Sequence, residues 1–223
     1  MKKILLLTFI LVSQYHFGQV TKNLGDFTKV TAFDKISVQL IESKENKIEF
    51  QGKYQAEAEV VLVNDELKIR LPMGKFLDGE DLVAKVYFQN LIAVEANEGS
   101  YLSCDTEIEA SDFEIITKEG AEIKLNLHIQ NLILKASQGG KIRLSGYAEN
   151  LDVIISTGAI VDAKECKTKQ TKVSVNAGGS ADVFASDLVE AKTRAGGTIT
   201  IYGNPKQVNE KKVLGGKIII SKS

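Results

Sequence analysis

Tryptophan is absent from this 223-residue chain, proline occurs twice, and no apolar run is long enough to cross a bilayer as a helix. Each lack removes something. Without tryptophan, and with aromatics at 7%, the usual stacking platform for a sugar ring is missing. A formal net charge of −1 sets up no field toward nucleic acid or an anionic membrane surface. Two prolines leave long strand ladders uninterrupted, since proline removes a ladder donor wherever it falls. No stretch keeps a 3.6-residue apolar period of useful length, so amphipathic helices drop out as the organising element.

Cysteine and histidine are equally scarce. Met1-Lys2-Lys3 followed by the short apolar run Ile4 to Val12 has the form of a secretory signal, with cleavage expected near Gly18 or Gln19. Residues 1–19 are read as that signal and 20–223 as one domain, exported and soluble, in the periplasm, on the outer surface or secreted. No cysteine follows the apolar run to carry a lipid. Export raises the question of a disulfide between Cys104 and Cys166. They fall three repeats apart, on the order of 14 Å at one strand spacing per repeat, beyond disulfide reach. Both are read as small buried apolar residues.

What the chain does have is a beat. Gly-centred turns recur from about Glu95 onward, at Gly99, Gly120, Gly140, Gly158, Gly179, Gly197 and Gly216. Their spacings are 21, 20, 18, 21, 18 and 19 residues. A period near 20 marks a solenoid. Short alternating runs follow most turns, such as Lys141-Ile142-Arg143-Leu144, and a second run such as Leu151 to Ile155 comes a few residues later. Two strands and two turns per repeat describe a coil of a parallel β-helix whose aliphatic residues point inward. The first two coils carry their apolar residues one position later relative to glycine, which reads as a one-residue insertion at the turn. Left-handed backbone at the turns would explain the glycines. Valine at Gly140 or Gly197 should then cost more than the ~1 kcal/mol usual for glycine changes, and more than valine at a loop glycine such as Gly79.

Residues 20–94 read as further strands that cap or continue the first coils. Phe33 to Leu40 and Lys47 to Gln51 are strands, Val60 to Leu71 is a hairpin about Asn64-Asp65, and Leu82 to Phe88 is another strand. Pro72 to Asp81 is a loop. At the far end, Ile218-Ile219-Ile220 forms a last coil, with Lys217 and Lys222 as guards against edge pairing. Self-association through this coil is the alternative.

Chemistry is hard to find. His128, the one histidine after the signal, should face solvent with no Ser, Cys or carboxylate tied to it by spacing. The outward acids Glu114, Asp152, Asp162 and Asp182 read as scattered among coils and sheets, not as a catalytic cluster. No glycine turn carries the Asp of a calcium-binding repeat, no Cys/His spacing suits a metal, and the glycine pairs do not open a helix that could cradle phosphate. No cofactor or catalytic residue is assigned. Ile116, Ile133 and Ile154 fall on outward positions of three consecutive coils. They form either a docking surface or, by preference, a row covered by the N-terminal strands or a loop.

These features together resemble the auto-transporter adhesin head GIN domain family of bacteria. Phe33-Asp34-Lys35-Ile36-Ser37-Val38 is similar to the family's opening, and Asp65-Glu66-Leu67-Lys68-Ile69 to its hairpin segment. The serial turns are similar to its Gly-Ser-Gly repeats, although most here are Glu-Gly or Gly-Gly. Tyr202-Gly203-Asn204-Pro205 followed by Gly215-Gly216-Lys217-Ile218 is similar to its ending. The resemblance implies a right-handed, pectin-lyase-like β-helix and a role in surface adhesion or envelope structure, with no catalytic set to carry over. The expected function is binding of an envelope or surface protein or a glycan. A polysaccharide-active enzyme on the same scaffold and a periplasmic scaffold protein are the alternatives.

Overall fold

The computed structural model describes residues 20–221, so the signal segment and Lys222 lie outside the described residues. Strand follows strand. The first eight are β1 (Val20–Asn23), β2 (Lys29–Ala32), β3 (Ser37–Glu42), β4 (Lys47–Gly52), β5 (Glu59–Val63), β6 (Glu66–Arg70), β7 (Leu82–Phe88) and β8 (Ala93–Ala96). Four long strands come next: β9 (Tyr101–Thr117), β10 (Glu122–Ala136), β11 (Lys141–Ser156) and β12 (Ile160–Asn176). The chain ends with β13 (Ser180–Phe184), β14 (Leu188–Arg194), β15 (Thr198–Tyr202), β16 (Gln207–Val213) and β17 (Lys217–Ile220). From β8 to β17 every pairing is parallel, whereas β6 and β7 each have one parallel and one antiparallel neighbour.

Where two short strands per coil were expected, β9 to β12 each run through as one bent strand. The bend sits where two successive residues face outward, as at Gln130-Asn131. The alternation skips a beat there, yet the pairing resumes at once, Ile129 opposite Ala148 and Asn131 opposite Asn150. Each rung therefore has a first arm before the bend and a second arm after it. In the later rungs the arms separate, with Ala185 to Asp187 between β13 and β14. The Phe184 carbonyl accepts hydrogen bonds there from the buried Thr168 and Thr171 hydroxyls.

The turns share one frame. A non-glycine residue and then a glycine both take positive φ, at 54° and 73° for Glu119-Gly120 and 51° and 75° for Gln138-Gly139, and a small third residue follows. Gly99, Gly120 and Gly158 are second residues of this frame, whereas Gly140, Gly179, Gly197 and Gly216 are third. The apparent insertion in the first two coils is thus a change in which position of the turn holds the glycine. The true extra residues are β-bulges inside strands, in β9 opposite Lys124–Asn126 and in β12 opposite Arg143–Ser145. Adjacent turns hydrogen-bond to each other, Gly99 N donating to Glu119 O and Gly120 N to Gln138 O, both at 3.0 Å.

The N-terminal region repeats the same device. Asp34 and Lys35 take φ of 59° and 60°, and Ile36 N donates to Phe33 O. Phe33 to Ile36 is therefore a turn, not the start of a strand. Aspartate tolerates the left-handed region better than most side chains, and here its carboxylate is fully used. Buried Asp34 accepts from Leu71 N (2.9 Å) and Leu77 N (3.2 Å), which fixes the loop between β6 and β7. Chain order and spatial order differ at this end. The β2–β3 rung lies between the β6–β7 rung and the β8–β9 rung, and the antiparallel β1, β4 and β5 close the stack. The expected strands β4 to β7 fall where the alternation placed them.

Inward columns fill the interior. Leu102, Ile123, Ile142, Val161, Ala181 and Ile199 stack in register down the first arms and are all buried. Each large aliphatic of this kind contributes roughly 1.5–3 kcal/mol by leaving water. Cys104 and Cys166 are free thiols within the same core. Burial pushes the Cys166 thiol up to about 12. A thiol that stays protonated does not attack reagents, so Cys166 should resist a thiol-exchange dye at pH 8 in the native protein and react fully in denaturant.

The structure changes the reason for the cost of substituting Gly140, and with it the control. Gly140 lies outside the left-handed region, but a Cβ there would sit 2.9 Å from both the carbonyl carbon and oxygen of Thr117. Gly79 is no free loop residue either: it is buried, and its Cβ would lie 2.4 Å from Asp34 O. Gly74 opens onto empty space. Gly140→Ala should therefore lose about 2 kcal/mol through overpacking, and Gly74→Ala should stay within about 0.5 kcal/mol of the parent. Urea melts of the two variants check this.

Candidate binding face

The second arms present a flat outward face built from two columns on either side of the inward one. One runs Glu114, Ile133, Asp152, Lys172, Glu190, and the other runs Ile116, Lys135, Ile154, Ser174, Lys192. The three isoleucines therefore make a zigzag and not a straight row. Ile116 and Ile154 share a column on either side of Lys135, and Ile133 lies in the next column. Ile133 and Ile154 are 41% and 42% exposed, and Ile116 is half-buried. The N-terminal strands lie beside this face as earlier rungs and do not cover it. Charge alternates with the isoleucines: Lys135 Nζ lies 2.6 Å from Glu114, and Lys172 Nζ lies 3.9 Å from Asp152.

At the bend beside this face runs a ladder of side-chain amides that the glycine spacing does not reveal. Asn131 Nδ2 donates to Asp112 Oδ1, and Asn150 Nδ2 donates to Asn131 Oδ1, both at 3.0 Å. Gln170 continues the column. These residues recur at intervals of 19, 19 and 20, so the signal was present as a polar side chain at a fixed phase of the repeat. The ladder and Ile133 border a shallow groove of about 390 Å³ that extends to Leu188 and Glu190.

Toward the N-terminal end the face passes into a charged cluster. Glu95, on β8 and 8% exposed, accepts hydrogen bonds from Lys29 (2.7 Å) and Lys118 (2.8 Å). Burial works against the Glu95 charge, but the hydrogen bonds from Lys118 and Lys29 outweigh it and hold the carboxyl below its usual range. Glu66 shifts the same way: burial opposes its charge and the Thr31 and Lys29 hydrogen bonds prevail. At the first rung turn the sign reverses, and burial together with the nearby Asp34 carboxylate raises Glu98.

The remaining sequence-selected residues lie elsewhere. His128 is exposed on another part of the rung, its ring 5.3 Å from that of Tyr147 and tilted by 43°. The four acids are less scattered than their spacing suggested. Asp162 faces Asp182 directly across adjacent first arms, and Glu114 and Asp152 flank Ile133 on the second arms. Asp162 also lies 3.6 Å from Lys164. The pair and the single acids do not converge in one groove. Among the described residues no group of three or more His, Cys, Asp or Glu is placed to hold a metal ion. No helix among them is long and apolar enough to cross a membrane.

Comparison with known proteins bears on this geometry. The family model described as "Putative auto-transporter adhesin, head GIN domain" matches residues 26–205. Among solved structures, a putative adhesin from Bacteroides fragilis superposes with a TM-score of 0.82 at 16% identity, covering 92% of this chain and 98% of its own. A putative adhesin from Parabacteroides distasonis gives 0.72 at 15% identity, with 92% and 96% covered. A putative lipid binding protein from the same species gives 0.71 at 13% identity, with 93% and 98% covered. No curated protein sequence matches the chain.

Glu95 yields a pH prediction. Its folded carboxyl titrates below its unfolded one, so its contribution is present above the unfolded range and lost as pH falls through the folded value. Glu95→Gln should cost about 2 kcal/mol at pH 7, with the gap narrowing below about pH 4. Denaturant melts of both proteins across that interval measure it.

Proposed function

The chain belongs to the auto-transporter adhesin, head GIN domain family, and on that premise we propose that it is an exported, non-catalytic solenoid that binds a partner of the cell envelope through its second-arm face. The observation carrying this reading is the pair Ile133 and Ile154, exposed on a rigid sheet beside the amide ladder of Asn131 and Asn150. Aliphatic groups set among fixed amides and paired charges recognise a surface with both apolar and hydrogen-bonding character. A surface protein or a glycan offers both. The family description and the adhesin relatives support surface binding. The leader-like residues 1–19 support export to the periplasm, the outer surface or the medium. Self-association through the terminal coil concerns a separate surface.

The test is a glycan array run beside a pull-down from the native envelope, with the Ile133→Lys/Ile154→Lys double variant as comparison. The two side chains are exposed, so stability should change by less than about 1 kcal/mol for the pair, while the partner retained by the parent is lost. Equal retention by the variant removes this face from the proposal. Turnover of a glycan by the parent removes the non-catalytic reading.

A further inference from the structure

The last rung, β16 and β17 joined at Leu214-Gly215-Gly216, breaks the rule that governs the others. In the rung before it, the inward positions hold Val189, Ala191, Thr193, Ile199 and Ile201, all buried. Register places Val208, Glu210, Lys212, Ile218 and Ile220 on those same columns. Two of the five are charged. Glu210 and Lys212 lie side by side at 3.2 Å, Ile220 is 48% exposed, and Leu214 is 84% exposed. The lysine expected to guard this edge, Lys217, is exposed on an outward position. Among the described residues nothing pairs with the outer backbone edge of β16 or β17. An uncovered edge of this kind is a template for another strand.

We propose that this rung is the docking surface for a second copy of the chain, stacked end to end about a two-fold axis through Lys211 and Ile219. Those residues stand four positions before and four after Gly215, at matching distances from the turn on β16 and β17, as an axis through both requires. Antiparallel pairing of β16 with its copy about Lys211 sets Glu210 against Lys212 of the partner subunit, and Lys212 against the partner's Glu210. Val208 then meets the partner's Leu214. Pairing of β17 about Ile219 sets Ile218 against the partner's Ile220. The inward positions of the edge are complementary to themselves in charge and in apolar character, which an isologous contact requires. The exposed, outward Lys211 stands opposite the partner's Lys211 at the axis, with both ammonium groups directed to solvent. Both copies use the same edge, so the contact closes on itself and the assembly stops at two; the antiparallel β1, β4 and β5 form the opposite end of the stack. A pair joined in this way carries two copies of the second-arm face, although its formation does not depend on what that face binds.

Sedimentation equilibrium on the intact chain, across micromolar to submillimolar concentrations, tests the proposal through charge exchange. The parent should be a dimer. Glu210→Lys and Lys212→Glu each place like charges across the axis and should weaken the dimer by at least about tenfold. The combined Glu210→Lys/Lys212→Glu variant restores opposite pairs and should recover it. Both side chains are exposed, and matched thermal melts confirm that the variants fold. A parent that stays monomeric, a parent that forms larger open assemblies, or single variants that dimerise as well as the parent would each overturn the proposal.

Discussion

Backbone pairing between successive rungs is the constraint on which everything else in this molecule depends. Parallel strands stacked at one spacing per rung leave no freedom at the turn, because each turn must also hydrogen-bond to its neighbours above and below. The two-residue left-handed turn meets that demand. Glycine at its second residue recurs because the stack repeats the same backbone, and the first residue can be Glu, Gln, Thr, Ala or Leu at the strain cost of a non-glycine left-handed residue. Asp34-Lys35 reaches the same geometry without glycine, and the Asp34 carboxylate, tied to two backbone amides, offsets the strain.

That constraint also shapes the outer surface. A side chain at a given phase of the rung faces the same phase of the next, so chemistry accumulates in columns. The amides of Asn131 and Asn150 and the alternating Ile133 and Lys135 are consequences of repetition on a pleated surface. A flat, rigid face of this kind suits recognition of an extended partner better than enclosure of a small one. The last rung departs from this pattern: register keeps Glu210 and Lys212 on the inward columns, where the two charges pair with each other at 3.2 Å.

Much of the architecture was legible in order along the chain. The beat near 20 residues, the inward Ile142 and Leu144, the hairpin about Asn64-Asp65 and the free cysteines all follow from local pattern and spacing. The misreadings came where two patterns overlap. Gly120 and Gly140 belong to the same turn type but to different positions in it, so counting from glycine alone suggested an insertion that the strands carry instead as bulges. Phe33 to Ile36 alternates like a strand, yet left-handed backbone at Asp34 and Lys35 makes it a turn.

The candidate face was only half visible for a related reason. Ile116, Ile133 and Ile154 were recognisable as outward residues, because period-two alternation needs no knowledge of neighbouring rungs. Which of them share a column, whether anything covers them, and the fact that Asp162 meets Asp182 depend on register, and bulges shift register by amounts that alternation does not record. Sequence by itself determined the repeating coil, its aliphatic interior and its glycine turns, since these are set by φ/ψ preference and burial within one rung. Tertiary structure alone decided the insertion of the β2–β3 rung between two later ones, the exposure of the second-arm face and the placing of Glu210 and Lys212 on the inward columns of the last rung. Those properties belong to contacts between segments far apart in the chain.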